Sequence, residues 1–239
     1  MHQQNHAQYT VVEHTTWNAL YTRQIPSLEQ YASEVNLMGI RALELGAHRI
    51  PDFAQINRML YPLTGWTLYA VPGLIDNTFF FRQMHRKQFG ATTWIRTPEQ
   101  MDYLEEPDIF HDVFGHVPLL ANTAVCEYLY GLASIANQHI TNEKVVEAIA
   151  RLYWYTIEFG LIRESGTLKI YGAGILSSIG ETAYSLSSKP QHLDFDIPTI
   201  LETPYNKDDF QHQYFVLYDM VQLKNALPEL EQIFKMHYA

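Results

Sequence analysis

The chain has one cysteine, Cys126, so no disulfide can form within its 239 residues and a cross-linked scaffold is excluded. Such sparing use fits a reducing compartment. Cys126 lies in an apolar helical pattern, as an inert core thiol does. Basic residues are also few: 16 Lys and Arg face 26 Asp and Glu, a net charge of −10. That surface disfavours nucleic acid and anionic membranes as partners. No apolar run approaches the roughly 20 residues of a membrane span. The opening Met1-His-Gln-Gln-Asn-His6 has neither a basic flank nor an apolar stretch, so it is no signal peptide. Repeats, low-complexity tracts and linkers are missing too. What remains is a single globular domain, expected in the cytoplasm.

Rings, by contrast, are plentiful. The 16 Tyr, 12 Phe and 4 Trp imply a core built on large aromatic side chains. Residues 1–11 are polar and are read as a disordered lead; 12–239 are read as one domain. Ser27 with Gln30 forms a capping-box pattern, and Leu28, Tyr31, Val35, Met38 and Leu45 follow it at helical spacing. Asp52 opens a second helix with Phe53, Ile56, Met59 and Leu60 on its apolar face. Residues 66–71 alternate as a strand does and stop at Pro72-Gly73. Pro107 suits a helix start, with Glu105, Glu106 and Asp108 near its positive end, and Pro118 should end that helix. Further helices are predicted near 122–140, near 143–164 closed by Gly166, and near 219–236 around Pro228. Tyr171-Gly-Ala-Gly174 reads as a turn and residues 214–218 as a strand. The fold class is therefore mainly α with a few short β-strands.

Two histidines, His111 and His116, stand five residues apart, and Glu158 sits inside the aromatic run Tyr153-Trp-Tyr-Thr-Ile-Glu158-Phe159. A lone carboxylate is costly in such surroundings. Two imidazoles and one carboxylate with open positions are the ligand set of non-haem Fe(II) oxygenases. In a regular helix, however, five residues turn about 500°, so the two rings would diverge by about 140°. The helix must loosen between them, and Gly115 would allow it. Three alternatives stand beside a ferrous site. The histidines could be unrelated. Glu158 could pair with Arg151. A zinc hydrolase could use Asp112 as base.

Six segments occur in order: Val71-Pro-Gly73-Leu74, Phe81-Arg-Gln-Met-His85, Trp94-Ile-Arg96, Glu106-Pro-Asp-Ile-Phe-His111-Asp-Val-Phe-Gly-His116-Val-Pro-Leu, Tyr153-Trp-Tyr-Thr-Ile-Glu158-Phe-Gly-Leu and Tyr171-Gly-Ala-Gly-Ile-Leu-Ser177-Ser-Ile-Gly-Glu181. On these the sequence resembles the aromatic amino acid hydroxylases, specifically the single-domain bacterial phenylalanine 4-hydroxylases, from about Val12 to near the C-terminus. The resemblance implies the single-domain catalytic fold of that family. It implies an Fe(II)- and tetrahydropterin-dependent monooxygenase that converts L-phenylalanine to L-tyrosine, with dioxygen as co-substrate and tetrahydrobiopterin or a related tetrahydropterin as cofactor.

By the same resemblance, His111, His116 and Glu158 match the iron ligands. Arg96 matches the arginine that holds the substrate carboxylate. Pro107, Trp154 and Phe159 match walls near the substrate ring, and Ser177 supports the substrate's amino acid end and an iron histidine. Gly73, Leu74 and Ile75 match the pterin's backbone-contact segment, and His85 and Tyr153 its ring neighbours. The stacking phenylalanine falls where this chain is several residues shorter. Phe79 is taken for that role, with Phe80 as the alternative. Asp112 is assigned a supporting place beside His111 or a pterin-bound water. Val216 falls near a position that is acidic in tyrosine hydroxylases, so an apolar residue there is consistent with phenylalanine. The alternatives are a tryptophan or tyrosine hydroxylase of the same family, or a zinc-dependent hydrolase if the resemblance fails. No regulatory domain and no tetramerisation helix are expected, hence a monomer or small homodimer rather than a tetramer.

Overall fold

Thr10 opens the first helix by a reciprocal cap. Its main-chain N–H donates to Glu13 Oε2 (2.7 Å), and its hydroxyl accepts the N–H of Glu13 (3.2 Å). Helix α1 then runs Val11–Tyr31, through the Ser27 where the sequence pattern starts a helix. Pro26 lies inside it. The missing N–H costs one helical bond, but Trp17, Leu20, Tyr21, Gln24 and Leu28 bury one continuous face across the proline. The break falls instead at Ser33, which caps α2 (Glu34–Ala42). In the computed structural model, residues 2–102, 104, 106–206 and 209–238 are described; Glu105 lies outside them.

The residues before α1 differ from the disordered lead expected of them. Gln4 bridges Pro51 O (2.9 Å) and the N–H of Phe53 (2.8 Å). His6 Nε2 lies 2.7 Å from Ile50 O, and Tyr9 donates its hydroxyl to Thr93 O (2.5 Å). Polar side chains here serve main-chain groups that no helix or strand satisfies.

Asp52 caps α3 (Phe53–Thr64), as its sequence predicts. Strand β1 (Thr67–Val71) follows, then α4 (Asn77–Met84), and β2 (Gln88–Thr92) pairs parallel to β1. After a 3-10 turn at Pro98–Gln100, the segment that follows is not an α-helix starting at Pro107. It is a π-helix, π1 (Phe110–His116), whose winding passes into a 3-10 turn over Val117–Ala121 that includes Pro118. Phe110 stacks on Phe114 (4.6 Å) and meets Trp17 edge-on (5.3 Å), which fixes π1 against α1.

Helix α5 (Thr123–Gln138) and the start of α6 (Glu143–Tyr153) match the sequence reading. The expected helix to residue 164 does not. After a second π-helix, π2 (Trp154–Glu158), the chain straightens into β3 (Leu161–Glu164) and returns as β4 (Thr167–Ile170). Gly166, at φ +79°, serves this hairpin and not a helix end. Short helices α7 (Ala173–Ser177) and α8 (Ile179–Ser185), strand β5 (Gln191–Asp194), helix α9 (Ile197–Glu202), strand β6 (Gln213–Leu217) and helix α10 (Val221–Tyr238) complete the chain. The larger sheet has the order β4-β3-β6-β5. Among the described residues, no single helix is long and apolar enough to cross a membrane.

Candidate functional site

Both histidines and Glu158 lie on π-helices, and this resolves the spacing problem. A π-helix has roughly 4.4 residues per turn, so five residues overshoot one turn by only about 50°. His111 and His116 therefore share a face, with their Nε2 atoms 3.2 Å apart. Gly115 has a different task from the loosening expected of it. A Cβ there would come within 2.7 Å of Ala173 O, so the glycine lets π1 lie directly on α7.

Glu158 reaches the pair from π2. Its Oε1 is 3.3 Å from His111 Nε2 and its Oε2 is 2.9 Å from His116 Nε2. Gly174 makes room, since a Cβ there would be 2.5 Å from Glu158 Oε1. Burial opposes ionisation of Glu158, but His116 and His111 outweigh it and hold the carboxyl below its ordinary value. The opposite balance raises His116, where Glu158 and Asp112 overcome burial. Both shifts mark a place where positive charge is favoured, as a bound metal ion would supply it. Arg151 does not compete for Glu158. It pairs with Glu147 (2.8 Å) and donates to Leu201 O (2.8 Å), so a structural Arg151–Glu158 pair is ruled out.

Asp112 is a second carboxylate within reach. One ligand atom each from His111, Asp112 and His116 lies within 4.8 Å of the others. Yet Asp112 Oδ2 is committed to β2, where it accepts the N–H (2.7 Å) and hydroxyl (2.8 Å) of Thr92. Glu158 turns one oxygen to each Nε2 atom, so Glu158 completes the better donor set. Two nitrogens and a carboxylate converging on one point fit a divalent metal ion.

The proton position on His111 follows from its neighbours. Ser177 donates its hydroxyl to Gly174 O (3.3 Å), so Oγ is left to accept from His111 Nδ1 at 2.9 Å. With the hydroxyl so directed, His111 carries its proton on Nδ1, the tautomer that keeps the Nε2 lone pair for a ligand. His116 Nδ1 faces the Tyr153 hydroxyl at 3.4 Å, and the two rings stack.

Arg96 is buried, and its fork is already occupied. Nε donates to Asp108 Oδ2 (2.8 Å) and Nη2 to Oδ1 (2.9 Å). Asp108 Oδ1 also accepts the N–H of His111 (3.0 Å). Burial works against the charge of Asp108, but the Arg96 guanidinium and the N–H groups of Arg96 and His111 hold its carboxyl below the ordinary value. The sequence reading singled out Arg96 and missed this partner. A carboxylate three residues before His111 was the available sign.

The remaining predicted residues divide. Trp154 and Phe159 pack together (4.9 Å) beside Glu158, and Pro107 is half-buried next to Asp108. Gly73 approaches Glu106, with a Cβ position 3.8 Å from its Oε2, while Leu74 is exposed and Ile75 half-buried in the same loop. Phe79 is exposed and meets Tyr69 edge-on. Phe80 is the ring that packs on Tyr153 (5.1 Å), and through it on His116. The choice between adjacent phenylalanines turns on which one faces inward, which the sequence does not encode. His85 is exposed and stacks on Tyr130 (5.2 Å), outside the ring group around His116. Val216 is buried in β6, opposite Leu161 of β3, on the same side as Tyr214 by strand alternation. Tyr214 donates to Glu181 (2.7 Å), a buried carboxyl that burial pushes up to about 7. Glu181 was also missed as a separate feature.

The family model of biopterin-dependent aromatic amino acid hydroxylases matches residues 2–239. The chain belongs to that family. It is 44% identical over 221 residues to the phenylalanine-4-hydroxylase of Chromobacterium violaceum, covering 91% of this chain and 73% of that protein. The hydroxylase fold is the same as well. A crystal structure of Chromobacterium violaceum phenylalanine hydroxylase with iron(III) and 7,8-dihydrobiopterin matches at a TM-score of 0.92 and 42% identity, over 99% of this chain and 86% of that one. Another, with iron and phenylalanine bound, matches at 0.90 and 39% identity, over 99% and 87%. Within this hydroxylase, the parallel pair β1–β2, the two π-helices and α7 are the elements that bring the polar groups together.

Proposed function

We propose that this hydroxylase converts L-phenylalanine to L-tyrosine with dioxygen, using Fe(II) held by His111, His116 and Glu158 and a tetrahydropterin. The observation that carries the reading is the convergence of both Nε2 atoms on the two Glu158 oxygens at 2.9 and 3.3 Å, in a biopterin-dependent hydroxylase. The phenylalanine-bound relative supports the choice of substrate.

Bound iron and reduced pterin supply the activation of dioxygen. The chain's own residues do the rest. Ser177 fixes the His111 tautomer, so its nitrogen binds without first losing a proton. Glu158 brings one negative charge, and three ligands from one side leave the opposite side of the ion open. Among the described residues, Arg96 has Nη1 left over from its pair with Asp108, and this group takes the substrate carboxylate. Trp154, Phe159 and Pro107 hold the ring and exclude water. Phe80 and Tyr153 form the aromatic face for the pterin, with Gly73, Leu74 and Ile75 as its backbone edge. Asp112 steadies π1 against β2 from beside His111. Val216, being apolar, offers no partner to a ring hydroxyl. Residues 12–239 act as one catalytic domain, a cytoplasmic monomer or small homodimer.

The test is product analysis of an aerobic reaction with Fe(II), a tetrahydropterin and each of phenylalanine, tyrosine and tryptophan. Tyrosine from phenylalanine, lost on omitting iron or pterin, is the expected outcome. No hydroxylated product from any of the three sinks the proposal.

A further inference from the structure

Gln211 is 2% exposed, and its amide serves two structures at once. Nε2 donates to Asn206 O (2.6 Å) and Asp209 O (3.4 Å), while Oε1 accepts the N–H of Asn206 (3.3 Å) and the indole N–H of Trp154 (3.3 Å). Flipping the amide would oppose like atoms at every one of these contacts, so its direction is fixed. The same short segment carries Tyr205, whose ring stacks on Trp154 at 4.4 Å and 24°. Phe159 meets the indole as well, at 4.9 Å. Stacked rings slide and turn easily within their planes. A directed hydrogen bond at Nε1 removes that freedom.

We infer that Gln211 is a positioning residue that sets the angle of the Trp154 ring, and so selects which aromatic amino acid is presented to the metal. The inference rests on the reading of Trp154 as a substrate wall. An apolar pocket discriminates weakly by composition alone, because an added hydroxyl or methylene changes binding little. The angle of a wall is then a strong lever on ring placement. Gln211 sets that angle twice, through the indole N–H and through its two bonds to the main chain of Asn206, next to Tyr205.

The experiment compares wild type, Gln211→Met, Gln211→Asn and Trp154→Phe. It reads tyrosine formed per pterin oxidised, the ratio of kcat/KM for phenylalanine to that for tryptophan, and iron content. Gln211→Met is expected to retain iron while the coupling ratio and the phenylalanine preference each fall roughly three- to tenfold, the range of one lost hydrogen bond. Folded Gln211→Met with wild-type coupling and preference overturns the inference. If Gln211→Met does not fold, Gln211→Asn decides: it keeps a buried amide but draws it back by one methylene from the indole N–H of Trp154. A fall in both ratios supports the inference, and wild-type ratios overturn it. Trp154→Phe separates the two levels. If it leaves both ratios unchanged, the substrate-wall reading is wrong and the inference falls with it. If it changes them while Gln211→Met does not, only the inference fails.

Discussion

Asp108 joins Arg96 to His111: one carboxylate takes two donors of the guanidinium at 2.8 and 2.9 Å and the main-chain N–H of His111 at 3.0 Å. Breaking a buried pair by removing one partner costs about 3–5 kcal/mol, because the other charge is left uncompensated. Arg96→Ala should therefore lose stability as well as raise KM for phenylalanine. Arg96→Lys should keep the charge, lose the two-point geometry and raise KM about tenfold. Denaturant titration alongside steady-state kinetics checks this. A raised KM with wild-type stability would contradict the pairing.

The pair also predicts a pH dependence. Asp108 lies below its ordinary value of 3.8, so its contribution is complete above that value and is lost as pH falls through the folded-state value. The destabilisation caused by Asp108→Asn should be large at about pH 7 and shrink below about pH 4. Urea unfolding at both pH values reads it directly.

Glu181 runs the other way. Its folded value is about 7 against an ordinary 4.5, so between these the folded state holds a proton that the unfolded state has lost. Stability then falls as pH rises through this window and levels off above it. Glu181→Gln still accepts from Tyr214 but removes the titration. The variant should match wild type near pH 4 and exceed it at about pH 8, by at most on the order of 3 kcal/mol. Equal pH profiles for the two proteins would show that Glu181 is not perturbed.

Glu158→Ala should lose iron and activity together while the far-ultraviolet spectrum persists. Ser177→Ala should weaken metal binding about 10- to 100-fold by freeing the His111 ring. Metal titration with a competing chelator measures both. Iron affinity unchanged in Ser177→Ala would mean that the tautomer is fixed by something else.

Phe80→Ala and Phe79→Ala separate the adjacent rings. We expect Phe80→Ala to raise KM for the pterin about tenfold or more, as loss of an aromatic stack does, and Phe79→Ala to leave it near wild type. The reverse result would return the pterin to the outer face of α4.

The convergence of His111, His116 and Glu158 was legible because metal chemistry demands particular side chains, and a carboxylate in a ring-rich run has few other reasons to be there. Helices α3, α5 and α6 were legible from caps and apolar spacing. The winding of π1 was not, because nothing in five-residue spacing distinguishes a π-helix from two unrelated histidines. Asp108 and Gln211 were missed, and Phe80 stood only as the alternative to Phe79, for a shared reason. Each acts through a group brought close only by folding: Asp108 on Arg96 in the loop after β2, Phe80 on Tyr153, and Gln211 on the Trp154 indole. The N-terminal residues looked disordered because polarity was the only information available. Their partners, Ile50, Pro51 and Thr93, lie more than forty positions away.

The wide winding of Phe110–His116 acts as a reading frame for this part of the molecule. Side chains on it keep their partners only while five residues separate the histidines: Asp112 on Thr92, Phe110 and Phe114 on α1, Gly115 on Ala173. Removing or inserting one residue between His111 and His116 would turn the contacts after the change relative to those before it, and not just one histidine. The segment should therefore accept many substitutions before it accepts a single change in length.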